Sequence, residues 1–154
     1  MKVLKKAALG AVLVGITAST VYAAVKPDDA IEYRKATMEV IGWNFGPLGG
    51  MLKGKVPFDA ALAKRNAERL EYLAALPLEG FPPGADKGEK EKTTAKETIW
   101  EEPDKFKDLF EKMGSESAKL AEVAASGDEG AIKTQIGEVA KVCKSCHDDF
   151  RVKH

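Results

Sequence analysis

Cysteine is nearly missing from this chain: 154 residues contain two, and both lie in one C-terminal stretch, VCKSCHDDFR, residues 142–151. A disulfide between residues three apart would close only a tiny loop and stabilise little. Cysteine is therefore not what holds the fold together. Charge of one sign is missing too. The 24 basic and 24 acidic side chains are interleaved, with no basic stripe, which excludes nucleic acid as a partner. No apolar run reaches the roughly 20 residues that a membrane-spanning helix needs. No segment alternates apolar and polar residues with period two, so no strands are expected, and no internal repeat is present. There is no Ser-His-Asp set and no glycine loop built to cradle phosphate, so nothing points to an enzyme. The length fits a single domain.

The first residues belong to a different category. MKVLKK carries three lysines, AALGAVLVGITA is apolar, and STVYA ends in small residues. That order is the signature of a secretory signal peptide, expected to span residues 1–23 with cleavage after Ala23. The domain is then residues 24–154, exported to the periplasm with no stable membrane insertion after cleavage. Losing Lys2, Lys5 and Lys6 leaves 21 basic against 24 acidic side chains, a net charge of −3. Outside the cytoplasm the environment is oxidising, so two nearby thiols would pair unless something else consumes them.

Four segments carry a helical period. Ile31, Arg34, Met38, Ile41, Phe45, Leu48 and Leu52 form one stripe, with Asp28 or Asp29 expected as N-cap and a kink or loosened turn expected at Pro47 and Gly49-Gly50. A second helix is expected from about Pro57, through Leu62, Leu70 and Leu76, to a stop at Pro77. A third starts near Pro103-Asp104 and stops at SGDEG. The fourth carries Ile132, Ile136, Val139, Cys143, Cys146 and Phe150. The simplest assembly is all-α, an antiparallel four-helix bundle. One connection is long: PLEGFPPGADKGEKEKTTAKETIW, with a solvated charge run in its middle and Phe81 and Trp100 near its ends, placed to fold back onto the bundle.

On the fourth helix, Cys143 and Cys146 lie roughly 60° apart around the axis, and His147 about 40° from Cys143. Two sulfurs and an imidazole thus face one object. C-x-x-C-H is the attachment pattern of c-type haem: each thiol adds across a vinyl group, and the following histidine ligates the iron. Three other uses stay open. A zinc site would have to recruit Cys143, Cys146, His147 and His154, and adjacent Cys146 and His147 suit a tetrahedral site poorly. A thioredoxin-like dithiol usually follows a strand, and none precedes it. The third is the small disulfide already described.

Beyond the motif, DDAIEYRKATM, NFGPLGGMLKGKVPFDAA, FPPGAD, TTAKETIW and CKSCHDDFR run in order across nearly all of the chain after residue 23. Together they resemble the class II cytochromes c, and most closely cytochrome c prime, a four-helix family. The resemblance implies one covalently attached haem c held by Cys143 and Cys146, with His147 as axial iron ligand. It also implies Arg34 beside a haem propionate, Thr94 near the haem edge and Arg151 near the proximal face. Met38 would face the open side of the iron. The resemblance favours five-coordinate iron crowded by Met38; in the low-spin branch a methionine in this region is the sixth ligand instead. The implied function is electron transfer with redox partner proteins, together with binding of small diatomic gases such as nitric oxide or carbon monoxide. A homodimer through the first two helices is common in the family, and the sequence leaves it open.

Overall fold

Each helix begins where the sequence offers a start signal, and not always the expected one. The structure, a computed structural model, describes residues 25–153. The expected signal peptide and His154 lie outside the described residues. Helix α1 spans Pro27–Leu52, with Lys26 as N-cap and no side chain capping it. Proline suits the first helical position, since its missing N–H would be unpaired there anyway. Asp28 and Asp29 therefore fall inside the first turn and are not the cap. Their charges still complement the positive end of the helix. Helix α1 continues through Pro47 and Gly49-Gly50 without interruption. The carbonyl that Pro47 leaves without an N–H belongs to Trp43, which is 81% exposed, so water is at hand.

Helix α2 spans Ala60–Leu73 and starts three residues after the expected Pro57, because the Asp59 carboxylate accepts the Leu62 N–H at 2.9 Å and caps the helix there. It ends at Leu73 and not at Pro77. Pro77 instead sits in the opening of a 3-10 turn, Leu76–Gly80. The long connection then runs to a one-turn helix, α3, Thr98–Glu101. Helix α4 spans Pro103–Ala124 and helix α5 spans Glu129–Phe150, with the Asp128 carboxylate accepting the Ala131 N–H at 2.6 Å. Both short connections, after α1 and after α4, turn through a glycine with positive φ: Gly54 at 65° and Gly127 at 73°. The four long helices make the expected all-α bundle, and among the described residues the nearest thing to a strand is a single antiparallel bridge, Ala95 to Arg151.

The core falls into two clusters. At the end where the short turns lie, Leu48, Met51, Ala63, Ala67, Leu70, Leu120, Ala124, Ile132, Ile136 and Val139 pack together, all aliphatic. At the other end Phe106, Phe110, Phe150, Ile99, Met113 and Val142 form a second cluster, with Phe81, Trp100, Met38, Cys143 and Cys146 half-buried against it. No helix among the described residues is long and apolar enough to cross a membrane.

Candidate functional site

The face of α5 carrying the C-x-x-C-H motif looks into the aromatic cluster. Both cysteines are free thiols and half-buried there, and Met38 reaches the same cluster from α1. Burial raises the pKa of both thiols, and for Cys146, where the neighbouring Cys143 and Asp149 add to burial, it is pushed up to about 11. Protonated thiols of this kind do not behave as the low-pKa nucleophile of a redox dithiol. His147, one residue on, is exposed at the rim. Partial desolvation, then the Arg151 guanidinium, lower its pKa, with Asp148 opposing. A neutral imidazole is the form that ligates a metal. Among the described residues no group of three or more His, Cys, Asp or Glu side chains is arranged to hold a bare metal ion.

Arg34 is the most constrained polar residue of the region, only 3% exposed. Its Nη1 donates to the carbonyls of Gly80 and Ala85, each at 2.9 Å, and its Nη2 to Thr93 Oγ1 at 2.9 Å. The guanidinium also lies 4.7 Å from the Phe81 ring centroid and 5.7 Å from that of Trp100. Carbonyl oxygens and aromatic faces thus compensate a buried charge. Burial lowers the Arg34 pKa and Asp86 opposes it, but an arginine starts so far above neutrality that it stays charged. The helix and the 3-10 turn meet closely here: a Cβ at Gly80 would lie 2.6 Å from Arg34 Cβ and 3.0 Å from the Ala30 carbonyl. Glycine is required for that approach.

The aromatic wall is ordered by edge contacts. Phe81 meets Phe106 with centroids 4.8 Å apart, and Phe106 meets Phe150 at 5.2 Å. Trp100 donates its indole N–H to the Pro82 carbonyl at 3.0 Å. Phe81 and Trp100 fold back onto the bundle as their positions in the long connection suggest.

Thr94 and Arg151 lie in two short segments that meet through backbone rather than through these side chains. The Val152 N–H donates to the Thr94 carbonyl at 2.8 Å, beside the Ala95–Arg151 bridge. The threonine hydroxyl that reaches Arg34 is that of Thr93, one residue earlier. Arg151 is the C-cap of α5, and its N–H donates to the His147 carbonyl at 3.2 Å. Two residues of this region carry roles that local pattern did not indicate. The Asp28 carboxylate, turned away from its own helix, accepts the N–H groups of Lys90 at 3.1 Å and Glu91 at 2.9 Å. Lys96 Nζ donates to the carbonyls of Asp148 and Asp149, at 3.1 and 2.8 Å. A solitary lysine inside TTAKET was the only hint of the second.

The donor set suits a haem: paired thiols on one helical face, a neutral imidazole next to them, an aromatic and aliphatic wall for a flat apolar ring, and a buried guanidinium beside it for carboxylates. Known proteins agree with that chemistry. The sequence model of the family described as Cytochrome C' matches residues 29–151. A cytochrome c' of Rubrivivax gelatinosus is 41% identical over 128 residues, covering 83% of this chain and 98% of that protein. The solved structure of cytochrome c prime from Shewanella frigidimarina superposes with a TM-score of 0.78 at 41% identity, over 83% of this chain and 98% of that one. The nitric oxide complex of a cytochrome c prime variant from Alcaligenes xylosoxidans superposes at 0.75 with 34% identity, over 86% and 100%. Motif, fold and relatives converge, and the chain belongs to the cytochrome c' family.

Proposed function

We propose that this protein is a periplasmic monohaem c-type cytochrome that transfers single electrons and binds nitric oxide, with Cys143 and Cys146 as the haem attachment points and His147 as the axial ligand. The observation that carries this reading is the convergence of two half-buried thiols and Met38 on one aromatic cluster, with His147 following Cys146 at its rim. When bound, the haem supplies an iron that cycles between two oxidation states and offers a coordination position to a diatomic gas. The chain does the rest. Cys143 and Cys146 hold the group to α5, and His147 presents its nitrogen from the rim. Phe81, Phe106, Phe110 and Trp100 would keep water from the ring, and Met38, which packs on the same cluster, would crowd the iron. Arg34 has N–H groups beyond the three it donates, available to a carboxylate.

A five-coordinate iron belongs to the same reading: Met38 would narrow the site without ligating the metal. Export by cleavage after Ala23, with residues 24–154 as the haem domain, belongs to the same proposal. So do electron exchange with protein partners and a homodimer. For the dimer, α1 exposes Tyr33, Val40 and Trp43 along one side, and α2 exposes Tyr72 at 79%, a quantity of aromatic surface that a second copy would cover.

The test is an absorption spectrum of the oxidised and reduced exported protein, followed by nitric oxide titration of the reduced form. A high-spin spectrum, colour that survives acid-acetone extraction, and a spectral change with nitric oxide are expected. A low-spin spectrum with a sulfur ligand, lost in Met38→Ala, would assign Met38 to the iron, and a colourless protein would end the reading.

A further inference from the structure

The last four carbonyls of any helix lack partners within it, and α1 and α4 close most of theirs with their own following backbone. After α4, the N–H groups of Ala125, Ser126 and Gly127 return to the carbonyls of Ala121, Glu122, Val123 and Ala124. After α1, those of Lys53, Gly54 and Lys55 return to Gly49, Met51 and Gly50. Helix α5 does not end this way. Its C-cap, Arg151, is extended, with φ −119° and ψ 134°, and the chain leaves the helix at once. Only the His147 carbonyl is met locally, by the Arg151 N–H. The other three are met by one residue far away in sequence. Lys96 Nζ donates to the carbonyls of Asp148 and Asp149, and the Lys96 N–H donates to that of Phe150 at 2.9 Å.

We propose that Lys96 is a positioning residue for His147: it caps in trans the helical turn that follows the axial ligand, and so sets the imidazole's orientation without touching it. Resting on the assignment of His147 to the iron, this gives the long connection a second purpose. An ammonium at a helix C-terminus is favoured by the helix dipole as well as by its hydrogen bonds. The same short segment holds Thr93, which accepts from Arg34 on α1, and Thr94, which accepts from Val152. The segment 93–96 therefore fastens the motif-bearing end of α5 to the first helix across the aromatic cluster. The surface ion pairs at this turn, Lys153 and Lys144 with the Asp148 side chain and Lys105 with Asp149, engage carboxylates and leave the carbonyls to Lys96.

The experiment compares the reduced holoprotein with Lys96→Met, Lys96→Gln and Lys96→Arg, reading amide hydrogen exchange at Arg151 and Val152 and the iron–imidazole stretching band by resonance Raman. Loss of charge-assisted hydrogen bonds in Lys96→Met should raise exchange at both amides roughly tenfold. The stretching band should broaden and move to lower frequency. Lys96→Gln, with donors but no charge, should fall between, and Lys96→Arg should restore both readouts. Lys153→Met, which removes a charge from the same turn without uncapping a carbonyl, should leave both unchanged. A band and exchange rates indifferent to Lys96, an order other than Lys, Gln, Met among the variants recovered, or the same change in Lys153→Met would each overturn the role given to Lys96. A wild-type protein with no iron–imidazole band would instead remove the five-coordinate, His147-ligated iron on which the proposal rests.

Discussion

The two ends of this bundle are built from different materials. The end with short turns has a closed aliphatic centre, with Phe45 and Phe58 only at its edge: Leu48, Leu120, Ile132 and Ile136 are fully buried, and each adjoining turn takes only a few residues. The other end is aromatic and only partly closed. Met38, Phe81, Trp100, Cys143 and Cys146 are half-buried there, beneath a connection of about two dozen residues. Cys143 packs against both clusters, and Cys146 against the aromatic one alone. Small close-packed aliphatic side chains leave no room and create rigidity. Large flat ones joined by edge contacts can line a slot for another flat ring. Stability is thus concentrated at one end and chemistry at the other, with the first thiol anchored where they meet.

That division is open to direct challenge. The largest expected effect is at the closed end: Leu120→Ala should cost about 3 kcal/mol of unfolding free energy, as deletion of a fully buried leucine commonly does. The visible spectrum of the folded protein should stay as it is. Denaturant unfolding followed by circular dichroism gives the first quantity, and an absorption scan of the same sample gives the second. A shifted haem spectrum in Leu120→Ala would mean the two ends are not separable.

A smaller loss with the opposite signature is expected from Gly80→Ala. The added methyl would lie against Arg34 Cβ and the Ala30 carbonyl. Neither neighbour is the free end of a flexible side chain, so the 3-10 turn must shift, at a cost of about 2 kcal/mol. The Gly80 carbonyl accepts from Arg34, and Phe81 follows directly, so the shift should reach the aromatic cluster and move the spectrum. Gly80→Ala with an unchanged spectrum would show that the guanidinium and its loop are mere scaffolding.

How much of this was legible beforehand depends on whether the signal is local. The long helices were readable because their periods lie within the segments themselves, and Pro103 opens α4 where expected, whereas the caps of α1 and α2 fell elsewhere. The C-x-x-C-H spacing is local as well. Arg34 stood out because it interrupts an apolar stripe. What escaped was polar contact over long sequence separation. Asp28 looked like a cap for its own helix and binds loop N–H groups 62 and 63 residues away. Thr93 and Thr94 are indistinguishable in sequence, and only the fold decides which hydroxyl meets Arg34. Lys96 resembles any loop lysine, because a backbone carbonyl acceptor leaves no mark on the composition of either partner.

Asp28 offers the smallest and most specific challenge, since it ties the loop of the open end to the start of α1. The N–H groups of Glu91 and Lys90, in that order, hold its carboxyl pKa below the ordinary 3.8, outweighing a slight effect of burial. A carboxylate whose folded pKa is depressed adds stability that is fully present above its unfolded pKa and fades as pH falls through the folded value. Asp28→Asn removes the charge and one strong acceptor. The variant should therefore melt slightly below wild type from neutral pH down to about pH 4, and the two melting temperatures should converge below that as Asp28 itself takes up a proton. Because every other carboxyl group is common to both proteins, the difference between the two curves isolates this contact. A difference that persists unchanged to the lowest pH at which both stay folded would mean that the anchor is steric, and that the loop of the open end is held by Arg34 and Lys96 without help from the charge on Asp28.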